Sequence, residues 1–512
     1  MLRSLVGSEM CIRDRLCESP YYLYDSSFLL SFGAVLGLAM VYPILFQKGK
    51  EKKGRGLAVL TEGVRSSVSV WFLLLPLVLY FFYELPIWGS IVSIFFMPLS
   101  ELLLLSGLAG GVFGCLPVTL PGQLAGLVAS GILEVFLIMG RILKMLPGSL
   151  WIAGQPELWC CVLYYVAASL VLFRKSISPA GKTGKGMKIL YGIAVLLLLI
   201  PIPKGSLELT FLDVGQGLSI LVQSDGQTMI YDGGDKSTSS FVVSYLQKQN
   251  VTTIDYLISS HYDSDHMAGL IGCLNAFDVK NVISSDYEHD SKLYQSFIQT
   301  VADKGLPMQH PAVGTEFSFG SGSFQILAPA TIDPNDSNKN SVAIKLTNGN
   351  NSFIFTGDAE NTSEKAMCES GIDLSCDVLV PGHHGSATAT SWDFLQATVP
   401  EYAVISCGKD NQYGHPDKDV MDKLESMDIQ VYRTDKQGTI VAVSDGTTIT
   451  WDQEPCNDYS PGDKEDKGTQ AQTSQSKGSS SSGSNATANE NSSSGNKEVS
   501  AASAGASSQV EA

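Results

Sequence analysis

All seven histidines of this 512-residue sequence lie between positions 261 and 415, and five of them fall in three short motifs. The first is Ser260-His261-Tyr262-Asp263-Ser264-Asp265-His266, the second Gly382-His383-His384-Gly385-Ser386, the third Tyr413-Gly414-His415-Pro416. Phe355-Thr356-Gly357-Asp358 lies between the first two. Imidazoles and carboxylates gathered on loops are ligands for Zn or Mn ions, so the chemistry to expect is metal-assisted hydrolysis. His261 and Asp263 point the same way in extended backbone, and Asp265 with His266 can supply a second metal position across the turn. Asp358, a short acid at a strand end, can bridge two cations. Two cations about 3.5–4 Å apart can clamp an in-line displacement at phosphorus.

Other residues admit two readings each. Asp232-Gly233-Gly234 can orient a metal-binding histidine or simply form a turn that uses glycine. Asn340-Ser341 can contact substrate or cap a turn. His415-Pro416 precedes a helix whose N-terminus can hold an anion, or it only starts that helix. Either His383 or His384 can be the ligand, the other making hydrogen bonds behind it. His289 and His310, in polar surroundings, read as surface residues.

The elements that must position these groups follow from residue 206 onward. Leu207 to Leu212 alternates with period two, and Leu218–Val222 and Gln227–Tyr231 flank Asp225-Gly226, a hairpin signal. Further strands are expected near 255–259, 281–284, 323–328, 341–347, 352–357, 377–380, 402–406 and 430–433. Helices are expected near 238–249, 266–276, 290–303, 361–370, 390–396 and 417–427. Two strand-rich halves with helices outside suit a four-layer α/β/β/α sandwich. The metal motif begins where the apolar strand Asp255–Ser260 ends, a helix is expected just after His266, and Met267-Ala268-Gly269 lets that helix pack closely.

Composition divides the chain into four parts. Residues 1–19 read as a non-native leader and 20–203 as a membrane segment. Residues 204–454 alternate like a globular α/β domain. Residues 455–512, rich in Ser, Asn, Gly and Ala, read as a disordered tail that buries too little to offset its ordering entropy. A membrane helix needs about 20 mostly apolar residues; candidates lie at about 27–46, 68–87, 90–112, 121–140, 152–173 and 187–203. Glu84, Ser100, Glu101 and Glu134 are the polar candidates within or beside them. Basic clusters at Lys48–Arg55 and Arg174–Lys188 belong in the cytoplasm. Four spans separate them, so the sixth exits and 204–512 lie outside. Cys368 and Cys376 are close enough in sequence to bridge or to stay free thiols. Net charge is −17, and residues 204–454 hold 34 Asp+Glu against 14 Lys+Arg, a balance of −20. That argues against tight binding of nucleic acid without metal, though bound cations invert the local field.

The motifs LDVGQG at 212–217, SHYDSDHMAGL at 260–270, FTGDAE at 355–360, PGHHGS at 381–386 and YGHP at 413–416 resemble the metallo-β-lactamase-fold domain of ComEC-type competence DNA-internalisation channels. DSSFLLSFGAVLGL at 25–38 and LPLVLYFFYELPIWGSIVSIFFMPL at 75–99 are similar to the membrane segment of that family. The resemblance implies a polytopic α-helical membrane domain followed by a metallo-β-lactamase-like αββα sandwich, in a bacterial cell membrane. It implies about two divalent cations held by His261, Asp263, Asp265, His266, Asp358 and His383 or His384, with Asp265, His266 and His384 at the chemistry. Asp232, Asn340, Ser341, Ser386 and His415 would support ligands or substrate. It implies passage of one DNA strand, degradation of the other by a phosphodiesterase or nuclease, a DNA receptor and a cytoplasmic helicase. Asp263 replaces the second histidine of the superfamily's HxHxDH pattern, no well-placed histidine lies between 267 and 357, and Leu218 stands where the family usually has an acid. The family's earlier spans and its small β domain are missing, as in a fragment. Two further readings stay open: a hydrolase of a small phosphodiester or ester, favoured by the acidic balance, and a transport or DNA-binding scaffold with a degenerate metal site.

Overall fold

The computed structural model describes residues 21, 24–46, 55–115, 119–146, 148–173, 184–200 and 207–462. The leader, most of both basic clusters and the tail beyond 462 lie outside the described residues.

Apolar sequence makes the first part helical. Ser26–Leu36 continues through a π turn at Gly37–Val41 into Tyr42–Leu45, and Asp25 caps its start by accepting from Ser27 N at 2.8 Å. Gly37 sits against the Ser69 backbone, where a Cβ would come within 2.9 Å of Ser69 O. The helices Arg55–Phe82, Gly89–Gly114, Thr119–Met145, Leu158–Leu172 and Gly184–Leu199 follow. Among the described residues, three helical stretches are long and apolar enough to cross a membrane, Ser26–Leu45, Thr61–Phe82 and Leu120–Leu143. Leu99–Gly114 and Leu158–Leu172 are apolar but shorter, and Gly184–Leu199, at the place of the expected sixth span, has 16 residues, so three of the six expected spans reach membrane-crossing length among the described residues. Tyr164, Leu79, Ala167 and Ala194 form the buried centre where three of these helices meet.

Two short strands, β1 (Glu84–Leu85) and β2 (Trp151–Ile152), pair antiparallel between the helices. They bring the membrane segment against the globular part. Gln155 N donates to Lys248 O at 2.9 Å, and Gln247 Nε2 donates to Glu84 Oε2 at 3.0 Å.

From residue 207 the period-two pattern becomes two sheets. The first contains β3 (Leu207–Phe211), β4 (Ile220–Ser224), β5 (Gln227–Tyr231), β6 (Thr253–Ile258), β7 (Asp278–Ile283) and β8 (Met308–Gln309). The second contains β9 (Glu316–Phe319), β10 (Gly322–Ala328), β11 (Ala343–Asn348), β12 (Asn351–Phe355), β13 (Val378–Val380), β14 (Tyr402–Ile405) and β15 (Gln430–Arg433). The chain then returns to the first sheet with β16 (Ile440–Ser444) and β17 (Ile449–Trp451), giving the order β17-β16-β3-β4-β5-β6-β7-β8 beside β15-β14-β13-β12-β11-β10-β9.

Alternation sends successive side chains to opposite layers. Leu207, Leu209, Phe211, Ile220, Val222, Phe353, Phe355, Val378 and Val380 fill the space between the sheets. Leu221, Ile230 and Leu257 face helices Ser239–Lys248, Ser264–Ala276 and Lys292–Asp303 on one side. Ile354, Leu379 and Ala403 face Asn361–Glu369, Trp392–Thr398 and Lys418–Ser426 on the other. This is the αββα sandwich. Leu218, at the position where an acid was expected, is buried in the central layer.

Residues 455–462, read from sequence as the start of the tail, run along β15. Asn457 N donates to Val431 O at 3.2 Å and Tyr459 Oη to Ile429 O at 2.8 Å. The buried Arg433 donates to Asp458 O at 3.1 Å and pairs with Asp435. Cys368 and Cys376 are free thiols.

Candidate metal centre

The parallel pairs β5–β6 and β12–β13 end in register, Tyr231 opposite Ile258 and Phe355 opposite Val380. The residues that follow those four ends are Asp232, Ser259-Ser260-His261, Thr356-Gly357-Asp358 and Pro381-Gly382-His383-His384. Strand ends therefore set the positions of the charged groups, as rigid elements should.

Asp232 is the anchor. It has φ +58° and no exposure. Its Oδ1 accepts from Ser260 N at 2.7 Å, and its Oδ2 accepts from Ser260 Oγ at 2.6 Å and from His266 Nδ1 at 2.9 Å. Gly233 and Gly269 cross backbone to backbone; a Cβ on Gly233 would collide with Leu270 N. The helix starts at Ser264, two residues before the sequence suggested, so Asp265 and His266 project from its first turn with Asp263 as N-cap. An acid suits that position, because it complements the helix dipole. Asp263 makes no capping bond, and its Oδ2 lies 3.7 Å from His261 Nε2.

These bonds fix which nitrogen faces inward. His266 Nδ1 meets a carboxylate, and His384 Nδ1 lies 2.9 Å from Ser406 O, so both must donate there. Ser260 Oγ already donates to Asp232, and His261 Nδ1 lies 3.0 Å from it and 3.4 Å from Ser341 Oγ. All three Nε2 atoms are thereby turned to one space. His266 Nε2 is 3.2 Å from His384 Nε2 and 3.1 Å from Asp358 Oδ1. His384 Nε2 is 3.5 Å from Asp265 Oδ2 and 3.7 Å from Asp358 Oδ2. His261 Nε2 is 3.9 Å from Asp358 Oδ2. His261 Nε2 and Asp358 Oδ1 are buried without a partner in hydrogen-bonding geometry. A buried polar atom left so is costly, and a cation or a proton is what this donor set calls for. Among the described residues, two overlapping groups could hold a metal ion: His261, His266 and Asp358, and Asp265, His266 and His384.

Electrostatics agrees. Burial works against charge at His266 and His384, yet the surrounding carboxylates, Asp358 foremost, raise both above the ordinary imidazole pKa. Burial likewise opposes ionisation of Asp358 and Asp265, and the neighbouring imidazoles hold both below the usual range. Burial and the nearby His266 lower His261. Burial, then His384 and His383, push His415 down to about 4.

Of the adjacent pair it is His384 that reaches the cluster. His383 and His384 both have positive φ, +52° and +58°, between two glycines. Such backbone costs about 1–3 kcal/mol per residue and collects at functional sites. It turns His384 inward to 4% exposure and leaves His383 at the rim, Nε2 3.7 Å from Asp358 Oδ2 and Nδ1 3.2 Å from Thr388 Oγ1. The sequence left either histidine as the ligand; His384 lies with Asp265 and His266, while His383 meets Asp358 from the rim.

The supporting residues divide. Ser341 Oγ accepts from Asp358 N at 3.1 Å and lies behind His261. Asn340 instead clasps its own loop, exchanging 2.8 Å bonds with the Asp333 backbone. Ser386 closes the histidine turn, its N donating to His383 O at 2.9 Å. His415 packs 5.6 Å from the His383 ring, and its Nδ1 is buried and unpartnered. His289 and His310 belong to neither group. The sequence reading passed over Ser260 and Ser406, whose oxygens fix the tautomers, and Gly217, where a Cβ would come within 2.5 Å of Asp265 O. For Gly217 and Ser260 the signal was present, since both lie inside quoted motifs; Ser406 acts through its carbonyl, which no side-chain pattern reveals.

Sandwich, strand-end ligands and apolar helices together define a metallo-β-lactamase-fold domain, a fold of metal-dependent hydrolases, joined to a membrane segment. The metallo-β-lactamase superfamily model matches residues 212–409, and the Competence protein model matches 15–177. The chain is 28% identical to ComE operon protein 3 of Bacillus subtilis over 83% of its own length and 56% of that protein. It is 30% identical to Recombination protein 2 of Haemophilus influenzae over 49% of this chain and 31% of that one. It is 29% identical to Competence protein ComA of Neisseria gonorrhoeae over 47% and 32%. The chain is similar to ComEC-type competence proteins, and its matches span about half the length of these relatives or less.

Proposed function

We propose that this chain takes part in DNA uptake through a bacterial membrane and that its metallo-β-lactamase-like domain, residues 204–454, cleaves phosphodiester bonds of DNA outside the cytoplasm. The observation that carries the reading is the convergence of three imidazole Nε2 atoms with the Asp358 and Asp265 carboxylates, each imidazole oriented by a bond on its other nitrogen.

The residues present fit about two divalent cations of the Zn or Mn class. His261, Asp263 and Asp358 would hold one position, Asp265, His266 and His384 the other, with Asp358 and His266 near both. Bound cations there would supply Lewis-acid chemistry at phosphorus. The protein's own part is to orient these groups. Asp232 holds His266, Ser406 holds His384, and Asp265 completes the second position.

Placement outside the cytoplasm rests on charge. The sequence expects four spans between the two basic clusters, and an even number keeps both clusters on one side. A DNA receptor and a cytoplasmic helicase are partners by resemblance. The balance of −20 in residues 204–454 favours a second reading, a small phosphodiester as substrate. Turnover of a single-stranded oligonucleotide against a small diester, by the metal-loaded chain and its Asp265→Ala variant, decides between them. DNA cleavage lost in the variant supports the first; diester turnover with intact DNA supports the second.

A further inference from the structure

We propose that Tyr413 is a stacking platform for an unpaired nucleobase, fixed at the rim of the metal centre so that the neighbouring phosphate falls among its ligands. The inference rests on the phosphodiesterase reading and adds how the substrate is held: an unpaired base stacked on Tyr413, next to the bond to be cut.

A stair of rings leads out of the centre. His415 lies 6.5 Å from the His384 ring with planes 27° apart, and Tyr413 lies 5.5 Å from His415 with planes 19° apart. His384 is buried; Tyr413, at the outer end, is 51% exposed. One face of the tyrosine is covered by His415, so the exposure falls on the rest of the ring. An exposed aromatic ring held flat beside a phosphate-cleaving site is the element that binds unpaired bases irrespective of sequence.

The loop is built for rigidity. Asn411 Oδ1 accepts from the backbone N–H of Tyr413, Gly414 and His415 at 3.1, 2.8 and 3.0 Å. Its Nδ2 donates to Gly408 O at 2.9 Å and to His415 O. Asp417 then ties this loop to the histidine turn, its N donating to Gly385 O at 2.8 Å and its Oδ2 accepting from Ala387 N at 2.8 Å. These bonds hold Tyr413 in place relative to His383 and His384 without using its hydroxyl. An exposed ring fixed in this way, at the mouth of a charged site, has no packing role in the αββα core.

The test uses the full chain in detergent, with Tyr413→Ala and Tyr413→Phe. An oligothymidylate carrying one 2-aminopurine reports stacking by fluorescence quenching in the presence of Ca²⁺, independently of cleavage. KM for single-stranded DNA in Mn²⁺ is measured alongside, with an abasic oligonucleotide of equal length as control. The expected result is quenching by wild type and Tyr413→Phe, lost in Tyr413→Ala, with KM raised about tenfold and kcat moved less. The abasic substrate should give wild type the KM of the alanine variant. Quenching that depends on Tyr413 without any cleavage would leave the platform standing and remove the nuclease reading. Cleavage with KM and quenching indifferent to Tyr413→Ala overturns the platform and leaves the nuclease. Absence of quenching by wild type overturns it as well.

Discussion

At the scale of single residues, the centre depends on which nitrogen each histidine turns inward. Asp232 decides this for His266 from behind. Asp232→Asn keeps the shape but can present an amide N–H where an acceptor is needed, so cation affinity should fall about 10–100-fold, as read by competition with a chelating dye. Unchanged affinity would mean that the Asp232–His266 bond is incidental. His384→Ala should lose far more affinity than His383→Ala, because only His384 lies among the other donors; equal losses would contradict the inward placement. Protons compete for the same atoms. The carboxylates raise His266 and His384 above the ordinary imidazole pKa, so without cations each keeps its proton to higher pH, and loading must release it. Apparent affinity should therefore rise with pH through the range above the ordinary imidazole pKa of about 6.5, where these raised groups give up their protons. Isothermal titration in buffers of different ionisation enthalpy counts the protons released, and an affinity flat over that range would contradict the protonated state.

At the scale of elements, glycines let the segments approach closely enough to hold these side chains. Gly233→Ala would force the Asp232 loop away from the helix beginning at Ser264. It should cost about 1–3 kcal/mol and weaken cation binding together with stability, measured by thermal unfolding with and without Mn²⁺. Loss of stability with binding intact would show that the crossing is only structural. Much of this layer was legible in the sequence. Period-two runs marked β3, β4 and β5, and Asp225-Gly226 forms their hairpin turn with φ +46° and +80°. The strands β8 and β9, two and four residues long, carried too little pattern to be seen. Strand β16 was missed because its pairing with β3, Ile440 opposite Phe211, joins residues more than two hundred apart. The site was legible in residue type but not in orientation. Spacing brought forward His261, Asp265, His266 and Asp358, whereas the choice of His384 over His383 depends on two left-handed residues between glycines, which follow from tertiary packing rather than from local sequence.

At the scale of the whole molecule, the globular part is fastened to the membrane helices by few contacts. Strands β1 and β2, Gln155 to Lys248 and Gln247 to Glu84 form the junction, and Gly154 with φ +74° approaches Asn250, where a Cβ would come within 2.9 Å. Gly154→Val should open this contact, raising amide exchange at Asn250 and Val251 while β12 and β13 stay protected; unaltered exchange would show that the junction tolerates the side chain. Helix Ser239–Lys248, between strands β5 and β6, carries the junction at its C-terminal end, before the start of β6, and the metal centre lies beyond the C-terminal ends of β5 and β6. The central claim, that distant imidazoles and carboxylates share one cation-holding pocket, is tested most directly by metal content. Purified full-length chain, equilibrated with Mn²⁺ and freed of unbound ions, should retain about two cations per chain by mass spectrometry, and one or none after Asp265→Ala or His384→Ala. Retention of no cation by the wild type, or the same content in all three proteins, would contradict it.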